Sequence, residues 1–216
     1  MTEAEWLDRK PGFFVTSAWM KPRRQRLLAA AICRSLEWML SFDGVSAVIE
    51  TIEHFADTGV SKAALRRARQ AIQALRDELR NQDEQPNQDL VWALYILQVA
   101  ASENAYTETF DTAMEIHQHL DGLSDEGAMR VLYRPAKCII GNPFRPVTFS
   151  PSWRSETAVA LAAGIYDGRH FDRLPILADA LEEAGCDHPD ILAHCRDPQQ
   201  PHARGCWVVD LLLGKK

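Results

Sequence analysis

The sequence lacks a hydrophobic run long enough to cross a membrane. Its longest apolar stretch runs from Leu90 to Ala101 and is interrupted by Gln98, whereas a membrane-spanning helix needs roughly 20 apolar residues. The opening residues, MTEAEWLDRK, are acidic and have no apolar core, so we expect no secretory signal. We therefore predict a cytoplasmic protein without membrane contact.

One long part of the chain has no basic residues. Residues 81–129 carry a net charge of −10, whereas residues 1–80 carry +3 and residues 130–216 carry +1. The total of −6 argues against nonspecific nucleic-acid binding by the whole chain. We expect the acidic block to pair with basic side chains of the same helical bundle.

The cysteine pattern lacks the features of a disulfide framework. Five cysteines, an odd number, occur without an export signal, which favours a reducing compartment. Cys33 lies in an apolar helical pattern and is predicted to be a core residue. The sequence also has no C-x-x-C pair and no G-x-S-x-G motif.

Helical periodicity extends over nearly the whole chain, which predicts an all-α fold. We predict a helical bundle over residues 1–125 and assign residues 126–216 to a C-terminal module, in which the compact helical part follows the ordered, proline-rich loop GNPFRPVTFSPSW. One helix is expected from Pro22 to Leu40, and another is expected to end at Gly59. Helix starts are predicted at Ser155, Asp172 and Asp187. The segment CWVVDLLLG is compatible with a helix or a strand, and Gly214 with the following lysine favours a helix.

A cluster of cysteines and histidines near the C-terminus is the first candidate site. Thiolate and imidazole are the ligands that zinc prefers, and a closed Cys₃His structural zinc site can be built from Cys186, Cys195, His202 and Cys206. His194 is the alternative ligand. The missing C-x-x-C pair favours a metal-free alternative, in which the cysteines pack as core residues.

The same residues allow a thiol-dependent site. Cys195 or Cys206 beside His194 or His202 would form a thiolate–imidazolium pair. No oxyanion hole can be located in the sequence.

Two surfaces are candidates for binding a partner. A basic stripe follows one predicted helix at helical spacing and consists of Lys62, Arg66, Arg69, Arg76 and Arg80. Phosphate contacts would use such residues, although internal pairing with residues 81–129 is the favoured interpretation. In the proline-rich loop, Asn142 and Arg145 are candidates for partner or ligand contacts, with a structural role for the loop as the favoured alternative.

Several phrases resemble an uncharacterised bacterial protein family. They are GNPFRPVTFSPSW, IYDGRHFDRLPILADALEEAGCDHPDILAHCR and HARGCWVVDLLLGKK, together with the opening MTEAEWL. The resemblance covers roughly the last 75 residues well and the N-terminal half loosely. Because no activity, fold or cofactor is assigned to that family, the resemblance implies only that the C-terminal segment is a recurring module.

The sequence favours a non-enzymatic interaction or regulatory protein with another protein as its partner. The first alternative is a zinc-dependent or thiol-dependent enzyme that uses the C-terminal cluster. The second is a nucleic-acid accessory protein that uses the basic stripe.

Overall fold

The computed structural model of the chain describes residues 2–7, 21–59, 61–82, 88–102 and 133–215. These residues form helices and no strand, which confirms the predicted all-α fold. The chain divides into two compact units, Met1–Tyr133 and Arg134–Lys216. The predicted boundary at residue 125 lies outside the described residues. None of the described helices has the length and apolar character that a membrane span requires.

The described part of the N-terminal unit is built mainly from four packed helices. The helices that the structure describes there are α1 (Glu3–Leu7), α2 (Pro22–Ser35), α3 (Val45–Thr58), α4 (Lys62–Gln82) and α5 (Gln88–Ala100). Helices α2 and α4 each pack against both α3 and α5. Leu94, Ile96 and Leu97 of α5 are fully buried, as expected for a helix that is apolar on all sides. Cys33 is also fully buried and is a core residue, as predicted.

Helix α2 ends earlier than its periodicity predicts. It stops at Ser35, and a 3₁₀ helix follows from Glu37 to Ser41. A 3₁₀ helix has three residues per turn, so side chains three apart share a face. Leu36 and Met39 are three residues apart and are both buried. The apolar pattern therefore continues after the α-helix has ended.

Some of the predicted helix boundaries are confirmed and others are wrong. Gly59 ends α3 in the left-handed conformation, with φ at +63°. The Ser155 hydroxyl accepts a hydrogen bond from the Ala158 amide at 3.2 Å and caps the following helix. Asp172 and Asp187 do not cap helices: Asp172 lies in a 3₁₀ turn, and His188 occupies the N-cap position immediately before Pro189. Proline favours the first helical position and an extended residue before it, which sets the start at His188.

The C-terminal unit contains five helices around a separate core. They are α6 (Arg134–Ile140), α7 (Glu156–Gly168), α8 (Leu174–Glu183), α9 (Pro189–Arg196) and α10 (Trp207–Leu213). Helix α7 packs against α8 and α10, α8 packs against α9, and α10 also contacts α6 and α9. The last segment is thus a helix, and it ends at Gly214 as predicted.

A buried ion pair links α2 to α3 in the N-terminal unit. Arg34 donates from Nε and Nη2 to the two carboxylate oxygens of Glu53, each at 3.1 Å. The Glu53 side chain is only 2% exposed. Removing one partner of a buried pair leaves an uncompensated charge, which is the costly way to break it.

We therefore expect Arg34→Ala to lower the free energy of unfolding by about 2 kcal/mol. This loss is smaller than the loss expected for a fully buried ion pair, because the Arg34 side chain is partly exposed. Urea denaturation of the full chain measures this. The exposed Arg67→Ala change on α4 is the matched control and should cost less than about 0.5 kcal/mol. Equal effects of the two substitutions would show that the ion pair does not stabilise the unit.

Candidate metal centre

Four metal-ligating side chains meet in the C-terminal unit. Cys138 lies near the end of α6 and His194 lies in the last turn of α9. His202 belongs to the loop that follows α9, and Cys206 is the N-cap residue of α10. Their donor atoms all lie within 4.8 Å of one another, so the cluster can hold a metal ion.

Two donor–donor distances within the cluster fit a tetrahedral zinc site. Cys138 Sγ is 3.6 Å from His202 Nδ1, and Cys206 Sγ is 3.3 Å from His194 Nε2. Zinc bonds of about 2.3 Å to sulfur and about 2.0 Å to nitrogen place tetrahedral donors about 3.3–3.8 Å apart. Both measured distances fall in that range. The two imidazole rings are nearly perpendicular, with centroids 4.8 Å apart.

Hydrogen bonds fix the loop that carries His202. Arg134 donates through Nη1 to the Gln199 carbonyl at 2.8 Å, and Gln200 donates to the Arg134 carbonyl at 2.8 Å. The backbone of Ala203, in the same loop, acts to lower the pKa of the Cys138 thiol. The loop is therefore attached to α6 at several points, so that His202 and Cys138 meet although they are far apart in sequence.

The two thiols of the cluster differ electrostatically. Both cysteines are completely buried. Burial raises the pKa of the Cys138 thiol well above its ordinary value, and its hydrogen bond with Cys206 acts in the same direction. Burial also acts against the Cys206 thiolate, but the hydrogen bonds from Cys138, His194 and His202 and the charge of His194 together bring its pKa well below the ordinary value. Cys206 is thus the sulfur on which the cluster best supports a negative charge.

The cluster shares only part of its membership with the ligand set predicted from sequence. His202, Cys206 and the alternative ligand His194 belong to it, whereas Cys186 and Cys195 do not. Cys195 shares the buried face of α9 with Ile191 and points into the core, while His194, one position round the helix, reaches Cys206. Cys186 is also a buried core residue, and burial raises the pKa of its thiol.

Sequence reasoning missed Cys138. Most of the C-terminal unit separates Cys138 from His194 in sequence. Its place in the cluster depends on the packing of α6 beside α10. The available signal was composition, because the C-terminal module contains four cysteines. The three cysteines that lie close together in sequence, Cys186, Cys195 and Cys206, were favoured as ligands. The fold instead brings Cys138 and Cys206 together.

The basic stripe is only partly a solvent-facing surface. Lys62, Arg66, Arg69 and Arg80 are exposed on α4, as a nucleic-acid surface requires. Arg76 instead hydrogen-bonds Gln98 of α5, and its guanidinium lies 5.1 Å from the centre of the Tyr95 ring. Most of the acidic block, including residues 103–129, lies outside the described residues, so its predicted pairing stays a prediction.

The proline-rich loop is anchored by its aromatic residues. Phe149 and Trp153 pack edge to face with centroids 5.3 Å apart, and the Trp153 indole donates to the Gly185 carbonyl at 3.1 Å. Asn142 accepts a hydrogen bond from the Phe144 amide, which shapes the turn, while Arg145 is exposed. A structural role for Asn142 accounts for this geometry.

Comparison with protein-family models, with curated protein sequences and with solved structures finds no match to this chain.

Exchanging single cysteines distinguishes the observed cluster from the ligand set predicted from sequence. We expect Cys138→Ser to weaken zinc binding by more than about 100-fold, because loss of a ligand should exceed the 10- to 100-fold cost of losing a supporting contact. Competition with a chromophoric chelator measures the affinity. Cys186→Ser is the matched control, since it also replaces a buried cysteine, and should leave the affinity nearly unchanged. Loss of binding in Cys186→Ser alone would instead support the set predicted from sequence.

Proposed function

We propose that residues 134–216 form a zinc-binding helical module, in which one structural Zn²⁺ is held by Cys138, His194, His202 and Cys206. We further propose that the chain acts by binding another protein and not by catalysis at this centre. The convergence of the four donor atoms within 4.8 Å carries the proposal.

The chemistry of the donors favours zinc. Thiolates and imidazoles suit Zn²⁺, whereas Mg²⁺ and Ca²⁺ prefer oxygen ligands. Two thiolates also neutralise a divalent cation, so the completed centre would carry no net charge. A neutral centre suits a site in which both sulfurs are completely buried, because an isolated buried charge is costly.

The number of ligands favours a structural role over a catalytic one. Structural zinc sites are usually closed by four protein ligands, whereas catalytic sites keep a position open for water or substrate. Four side chains of this chain would fill the tetrahedron. The arrangement therefore supports an ion that stabilises the module and leaves its surface available for binding.

A metal-removal experiment tests the structural role. We expect protein purified without chelators to contain about one equivalent of zinc, and EDTA to lower the Tm of the C-terminal transition by more than about 10 °C, because tight binding to the folded state alone stabilises it. Elemental analysis and differential scanning calorimetry measure both quantities. The Cys138→Ser variant serves as the control and should not respond to EDTA. Absence of stoichiometric zinc together with an unchanged Tm would overturn the proposal.

One observation favours a second candidate, a thiol-dependent enzyme. Cys206 Sγ lies 3.3 Å from His194 Nε2, and the pair has the geometry of a thiolate and an imidazolium. The burial of Cys206 argues against this role, since a nucleophile must be reached by its substrate.

Alkylation distinguishes the two candidates. We expect Cys206 to resist iodoacetamide in the native zinc-loaded protein and to be labelled after denaturation, with mass spectrometry of the peptides as the readout. Cys33, a core cysteine of the other unit, is the internal reference for an inaccessible thiol. Rapid and selective labelling of native Cys206 would favour the thiol-dependent enzyme.

A further inference from the structure

The glycine that ends α6 lies against a tryptophan of α10. Gly141 is buried, its φ is +74°, and its amide donates to the Lys137 carbonyl at the end of the helix. A Cβ atom at this position would be 3.1 Å from both Cγ and Cδ2 of Trp207. Two features therefore favour glycine at this position: the left-handed backbone conformation and the close approach of the indole ring.

The same tryptophan contacts a member of the metal cluster. The Trp207 ring centre is 5.3 Å from that of His194, with the planes inclined by 50°. This distance is within the range of a packed aromatic pair. Trp207 also directly follows Cys206 and is 8% exposed, so its ring is held between core side chains. A shift of the indole would move a neighbour of one ligand and the residue adjacent to another.

We infer that Gly141 and Trp207 are positioning residues of the metal centre: the space left by Gly141 admits the Trp207 ring, which holds the His194 imidazole in its ligating orientation. The inference rests on the proposed zinc site. Gly141, the first residue after α6, thereby helps to set the orientation of His194 on α9. Neither residue contributes a donor atom, so both act through His194.

A second glycine of the same unit provides a matched control. Gly185 also has a left-handed backbone, with φ at +84°, but a Cβ added there would meet no atom within 4 Å. Alanine at either position introduces similar backbone strain. Only at position 141 does the new methyl group also press on Trp207. The difference between the two variants therefore isolates the contact with the indole.

Co²⁺ substitution measures the effect at the metal. We expect Gly141→Ala to bind Co²⁺ about 10- to 100-fold more weakly, as loss of outer-shell support does, and to alter the visible d–d bands that report tetrahedral geometry. Gly185→Ala should retain the affinity and the spectrum of the wild-type protein. Equal Co²⁺ affinities and spectra of the two alanine variants would overturn the inference.

A substitution of the tryptophan keeps the test decisive if Gly141→Ala fails to fold, as judged by circular dichroism. Trp207→Phe retains an aromatic ring of smaller size, and we expect it to shift the d–d bands while the helical signal is preserved. An unchanged Co²⁺ spectrum in Trp207→Phe would overturn the inference. Failure of the wild-type protein to bind Co²⁺ would instead overturn the zinc site itself, so the two failures are distinguishable.

Discussion

The C-terminal unit depends on the meeting of its first helix with its last. Cys138 lies on α6 and Cys206 begins α10, and the cluster exists because these two helices contact each other. The chain between Cys138 and Cys206 forms α7, α8 and α9. The contact between these two cysteines therefore closes a loop that contains most of the unit. Closing a long loop costs conformational entropy, and a link between its ends stabilises the folded state chiefly by restricting the unfolded chain. A metal ion at this point would be such a link.

Burial and charge distinguish the four residues that could hold a metal ion from ordinary core residues. Two completely buried sulfurs lie beside two partly buried imidazoles, and the pKa values of the two thiols move in opposite directions. A divalent cation that bound both sulfurs would stabilise both as thiolates, because it would compensate their charges and displace the thiol protons. Cys33 shows the contrasting case. Its buried thiol lies 3.8 Å from the Ala93 carbonyl, with its pKa raised by burial, and it packs as a small apolar side chain.

Local features of the sequence could be predicted where local chemistry decides them. Gly59 and Gly214 end their helices, and Ser155 caps α7, because each effect involves neighbouring residues alone. Asp187 was a reasonable N-cap by residue type, but Pro189 determines where α9 begins. Cys138 could not be assigned because its role arises from the packing of α6 on α10. On α9, Cys195 lies on the buried face with Ile191, whereas His194 reaches Cys206 and joins the cluster.

The described parts of the two units differ in the features that can stabilise them. The N-terminal unit pairs long amphipathic helices and adds charged links such as Arg34 with Glu53 and Arg23 with Asp57 across α2 and α3. The α-helices of the C-terminal unit have 7 to 13 residues, against 13 to 21 for α2 to α5. A small domain buries a smaller fraction of its surface than a large one. Disulfides or structural metals commonly supply the missing stability in such domains. Since its cysteines are all free thiols, the cluster of two cysteines and two histidines is the feature through which this unit can gain a cross-link.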